Sequence, residues 1–107
     1  MSKYYVKWTM NPLEIPKNPE ERMKAWQLAT KMVKDGLKSG FVKDWGMTSD
    51  LSEGYALLEA ANDTDAAAYL AVWIPILNLV AKPVLTVDQT EEMLQKLMAS
   101  MASMMKQ

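Results

Sequence analysis

The sequence predicts an α+β domain in the element order βαββαβ, with a four-stranded antiparallel sheet, two helices on one face and an added C-terminal helix. Three observations predict it. Aromatic and β-branched runs of strand length alternate with longer segments that have a helical apolar period. Cap and stop residues stand at the joins between them. The chain has 107 residues and is 50% hydrophobic and 23% charged, which suits one domain with a buried core.

The first run, Lys3 to Met10 (KYYVKWTM), is a strand rich in Tyr, Trp, Val and Thr. Asn11 to Lys17 (NPLEIPK) is a loop, because two prolines within five residues block regular structure. Asn18 caps a helix with Pro19 at its first position and Glu21 three residues beyond the cap. That helix runs to about Ser39, where Gly40 stops it. Phe41 to Thr48 is the second strand, Ser49 to Gly54 a polar turn, and Tyr55 to Ala61 the third strand. Asn62 or Asp63 caps a second helix that reaches about Ile74 and ends at Pro75. Leu79 to Val87 is the fourth strand, and Pro83 assigns it to a sheet edge. Asp88 with Glu91 opens the last helix as a capping pair, so the expected organisation is a domain over 1–87 and an amphipathic, Met-rich helix over 88–107. Two strand-helix-strand units with right-handed crossovers make this the ferredoxin-like arrangement.

Composition excludes much chemistry. The chain has no Cys and no His, which removes disulfides, thiolate nucleophiles, imidazole acid–base work and the usual zinc sites. Twelve Lys and Arg against thirteen Asp and Glu give a net charge of -1, with no general attraction for nucleic acid or anionic lipid. The longest apolar stretch, Ala66 to Ala81, is interrupted by Pro75 and Asn78 and is short of the ~20 residues that span a bilayer. The opening residues lack the apolar core and cleavage site of a signal peptide, so a cytoplasmic location is expected. No phosphate-binding Gly loop, metal cluster or nucleophile elbow is present, and no cofactor is expected.

The apolar surface exceeds what one copy can cover. In the first helix Met23, Trp26, Ala29, Val33 and Leu37 form one stripe, with Leu28 and Met32 beside it. That arc is roughly 220° wide, against the ~100° of an ordinary surface helix. The second helix is apolar on all sides and should be buried. The last carries Met93, Leu94, Leu97, Met98, Met101, Met104 and Met105 within roughly 140°. Along the first strand Tyr4, Val6, Trp8 and Met10 share one face, with Tyr5, Lys7 and Thr9 on the other. On the third, Ala56, Leu58 and Ala60 suit the helix side, leaving Tyr55, Leu57 and Glu59 on the open face. A strand bearing Phe41, Trp45 and Met47 is expected to flank that open face. A second copy is the economical cover, which predicts a homodimer through the sheets. The C-terminal helix would then dock on its own second helix or on the partner's.

The opening YYVKWTM with its Pro-containing loop and long helix, and the passage WIPILNLVAKPVLT into the last strand, resemble the dimeric α+β barrel superfamily. The likeness is to its muconolactone-isomerase-like members and covers about Lys3 to Thr86. It implies homodimers whose facing sheets form a barrel, with a small organic molecule bound inside in several members. The superfamily includes isomerases, cofactor-independent oxygenases and haem-handling proteins, and the lack of His argues against a His-ligated haem.

The polar residues of the open face, Tyr5, Lys7, Thr9, Tyr55 and Glu59, are the pocket candidates. An apolar wall with a few convergent polar groups is what a small-ligand site needs. Buried there, Glu59 could act as a proton-transfer base while Lys7 or a tyrosine polarises a carbonyl. The plainer reading makes Lys7 and Glu59 a cross-strand ion pair, or takes them to solvent at the barrel rim. Asp44 and Lys82, expected on the outer strands, could line a pocket or blunt exposed edges, and Trp8, Trp26, Trp45 and Trp73 are expected to anchor the core or an interface. Leu13 and Ile15 could lid a barrel mouth. Glu53-Gly54-Tyr55-Ala56 echoes an RNA-recognition strand, but Glu53 inverts the needed charge and Leu57 and Ala60 replace aromatics, so RNA binding is not expected.

Overall fold

The computed structural model describes residues 2–105. Their order is β1 (Ser2–Met10), a 3-10 turn (Pro12–Glu14), α1 (Pro19–Ser39), β2 (Val42–Met47), β3 (Glu53–Ala60), α2 (Asp63–Ala71), β4 (Leu77–Val84) and α3 (Val87–Met105). The described residues form an α+β structure with one four-stranded antiparallel sheet and three α-helices. The strands lie in the order β2-β3-β1-β4, so the Pro83-bearing strand is at an edge. Among the described residues no helix is long and apolar enough to cross a membrane.

Local chemistry explains most of the boundaries. Asn18 Oδ1 accepts from the Glu20 and Glu21 amides at 2.9 and 3.3 Å, and Pro19 follows at the first helical position. Gly40 takes the left-handed conformation at φ 85° and its amide donates to the Leu37 carbonyl, closing α1. Asn62 Oδ1 accepts from Asp65 N at 2.8 Å to start α2. Tyr4 donates its hydroxyl to Asp63, fastening that start to β1, and the bond raises the Tyr4 hydroxyl above its usual pKa.

The core forms where β1 and β3 face the helices. Tyr4, Val6, Trp8, Ala56, Leu58 and Ala60 alternate inward and are buried, as the strand pattern predicts. Val33 and Gly36 of α1, Val42 of β2 and Ala66 of α2 join them. Gly36 is required by the approach of α1 to β2, since a Cβ there would stand 2.7 Å from Val42 Cγ2.

Several sequence expectations are corrected. α2 stops at Ala71 rather than near Ile74. The last turn tightens ahead of Pro75, with Trp73 N donating to Leu70 O at 3.1 Å and Ile74 N to Ala71 O at 3.2 Å, and Pro75 itself has no amide to carry the ladder on. β4 accordingly begins at Leu77 and ends at Val84, and β3 begins at Glu53. The capping pair of α3 is Thr86 with Gln89, not Asp88 with Glu91. Gln89 N donates to Thr86 Oγ1 at 3.2 Å and Thr86 N donates to Gln89 Oε1 at 2.9 Å.

Phe41, Trp45 and Met47 do not flank the open face. β2 shifts register between Val42 and Asp44, pairing Val42 with Leu58, Asp44 with Leu57 and Trp45 with Ala56. The extra residue turns Val42 and Trp45 to the same, helix-covered side. Trp45 stacks on Trp8 at 5.9 Å, and Phe41 packs on Tyr69 of α2 at 4.9 Å.

Neither late helix is buried as expected within one protomer. In α2 only Ala66 is buried. α3 has no buried residue and does not dock on its own α2; α1 packs on β2 and α2 on β3, while α3 makes no comparable contact. The described chain consequently measures 68 × 27 × 25 Å.

Candidate functional site

Two surfaces can serve a function, one on each side of the sheet. The open side carries the residues marked in the sequence. Lys7 of β1 faces Tyr55 of β3 and Val80 of β4, while Tyr5 faces Leu57 and Lys82. Thr9 faces Glu53 and Asn78. Tyr5, Lys7 and Tyr55 therefore form a compact group near the centre of the sheet, with Thr9 one step further along β1.

Glu59 lies apart from that group. It faces Lys3, four residues along β3 from Tyr55, a separation of about 14 Å at ~3.4 Å per residue. The expected Lys7–Glu59 ion pair is not formed. Lys7 Nζ is 3.6 Å from Glu53 Oε2, and Lys43 Nζ is 3.9 Å from Glu59 Oε2. Strand register decides this, because only Glu53 is within diagonal reach of Lys7. Tyr55 donates its hydroxyl to Asp44 Oδ2 at 2.9 Å, and that hydrogen bond, with the carboxylate's charge, raises the tyrosine pKa. Tyr55 also lies over Gly46, where a Cβ would come 2.5 Å from its Cε1. The bare backbone of β2 thus lets the ring lie flat on the sheet. Asp44 and Lys82 sit on the two outer strands, in one row with Leu57 and Tyr5.

The other side holds a feature the sequence reading missed. An apolar trough of about 590 Å³ opens between the sheet, α1 and the end of α2. Val6, Trp8, Ala56 and Leu58 floor it, Trp26, Ala29, Val33 and Leu37 form the α1 wall, and Tyr69, Leu70 and Trp73 the opposite wall. Ile15 and Pro16 stand at its mouth, whereas Leu13 is 92% exposed. All four tryptophans line it. Burial raises the Tyr69 hydroxyl pKa, and Trp8 Nε1 is buried with no hydrogen-bond partner. The signal was the surplus width of the α1 stripe, since a helix apolar over so wide an arc needs cover beyond its sheet. Among the described residues no group of His, Cys, Asp and Glu could hold a metal ion.

The fold and these surfaces define a small α+β protein with one sheet face uncovered and an apolar trough on the other. Residues 2–98 match the family described as "Domain of unknown function (DUF3303)", and the chain belongs to it. No curated protein matches the chain.

Proposed function

We propose that the chain works as a homodimer of ferredoxin-like protomers whose open sheet faces meet as a barrel, in the manner of the dimeric α+β barrel superfamily. A small apolar or aromatic organic molecule is held between the faces. The observation that carries this reading is Tyr5, 41% exposed at the centre of a sheet face that no helix covers. Leu57 lies beside it on β3 and Val80, 56% exposed, lies one pair along on β4. Apolar area left in water costs about 25 cal/mol per Å², and a second copy removes it on both sides at once. Lys7, Thr9 and Tyr55 supply polar groups around the aromatic centre, the composition that orients a small ligand. Glu59, with Lys43 and Lys3 near it, stands at the rim.

A second reading is favoured by the pairs already present. Lys7 with Glu53, Lys43 with Glu59 and Tyr55 with Asp44 occupy the polar groups, which suits an assembly or regulatory module with a barrel filled by side chains.

Light scattering of dilute protein tests the dimer: twice 12.1 kDa is expected, and a single 12.1 kDa species would end the reading. Native mass spectrometry of freshly purified protein then separates the two versions. A dimer carrying extra mass that disappears in Tyr5→Ala supports the bound molecule. A dimer of bare mass supports the filled interior.

A further inference from the structure

We propose that the trough between α1 and α2 is the seat of α3 from a second copy, so that the two chains exchange their C-terminal helices. This rests on the homodimer reading and adds to it a second, separate contact. Each chain carries both halves of the contact uncovered. The trough is walled by Trp26 and Leu37, both exposed, with Tyr69 and Trp73 opposite. The helix presents Leu94, Leu97, Met98 and Met101, at exposures from 47% to 69%. Methionine and leucine side chains adapt readily to an aromatic-walled groove.

The partner's helix is preferred over the chain's own because of how α3 is joined. Only Leu85 and Thr86 separate β4 from α3. Thr86 is tied at both its amide and its hydroxyl to Gln89, and its carbonyl accepts from the Thr90 amide and hydroxyl, both at 2.9 Å. α3 runs out from this two-residue joint without packing on the other elements, which gives the 68 Å long axis. A return into the chain's own trough would have to reverse the chain direction within the two residues Leu85 and Thr86.

Charge agrees with the seating. Lys34 lines the trough and Lys31 stands one turn before it on α1. Glu91 flanks the apolar stripe of α3 at its N-terminal end, while Glu92 is already paired with Lys96 at 3.1 Å. Lys31, Lys34 and Glu91 have no ion-pair partner among the described residues. Exchange about a twofold axis forms every such contact twice.

The chain lacks cysteine, so a disulfide pair reads the seating directly. Ala29→Cys on the trough wall and Leu97→Cys on the α3 stripe are combined in the full chain and oxidised. A covalent dimer on non-reducing denaturing electrophoresis is the expected result. A disulfide confined to monomer mass, or no disulfide in a protein that light scattering shows to be dimeric, overturns the exchange and leaves the sheet-to-sheet dimer standing. A monomer by light scattering overturns both. A second variant avoids engineered cysteines: Met98→Glu with Met101→Glu changes only exposed positions. It should raise the fluorescence of an apolar dye such as ANS severalfold by uncovering the trough, and an unchanged signal refutes the seating.

Discussion

The indole of Trp8 rests on the bare backbone of Gly54, its cross-strand partner. A Cβ at Gly54 would overlap Trp8 Cζ2 and Cε2 and also the Gly46 carbonyl oxygen. Trp8 is 4% exposed and stacked on Trp45, so moving it aside would disturb that stack. Gly54→Ala should therefore destabilise by about 1–3 kcal/mol, the usual cost of overpacking. At about 4–8 °C per kcal/mol for a domain near this size, thermal unfolding followed by circular dichroism would register it. A melting temperature equal to the parent's would contradict the contact.

Leu58 and Leu13 are the same residue type at opposite extremes, 1% and 92% exposed. Leu58→Ala should cost about 2–5 kcal/mol through lost transfer energy and the cavity left behind. Leu13→Ala should stay within about 0.5 kcal/mol. Urea midpoints of the two variants measured side by side test the difference, and similar values would place the core elsewhere.

Asp50 organises the turn between β2 and β3. Its Oδ1 accepts from the Thr48 and Ser52 hydroxyls, each at 2.7 Å, and from the Ser52 amide at 3.1 Å. These bonds favour the carboxylate and lower its pKa to about 2. A carboxylate whose folded pKa lies below its unfolded value contributes stability that is present above the unfolded value. That contribution is lost as pH falls through the folded one. The turn should thus loosen between about pH 4 and pH 2, and Asp50→Ala should flatten the acid limb of the stability profile over that interval. An identical limb in the variant would remove Asp50 from the account.

Thr86 and Gln89 bond reciprocally at the start of α3. No residue of that helix is buried in the protomer, so its first turn depends on the cap rather than on packing. Thr86→Ala should weaken it by about 1 kcal/mol. Fraying at the N-terminal turn would appear as faster amide exchange over Gln89 to Met93, with exchange in α1 unchanged.

Much of the architecture was legible because short-range chemistry governs it. The Asn18 cap with Pro19, the Gly40 stop and the alternation of Tyr4, Val6 and Trp8 against Tyr5 and Lys7 each follow from neighbours within a few residues. The misreadings concern longer reach. The register shift beside Lys43 cannot be seen in a run of residue types, yet it decides where Trp45 faces. Beyond Ala71 the end of α2 tightens into i→i+3 bonds ahead of Pro75. On the candidate site, the sequence placed Tyr5, Lys7 and Tyr55 on one face, but pairing partners were set by register, which joined Lys7 to Glu53 instead of Glu59. The trough escaped notice because it arises between two helices whose spacing no periodicity encodes.

Pro83 on the outer strand β4 has one more consequence. It pairs with Tyr4 and brings no amide hydrogen to the rim, and the charged Lys82 stands next to it. A further chain seeking to extend the sheet sideways meets a gap in the donor row beside a cation. Edge-to-edge extension of the sheet is disfavoured at that margin.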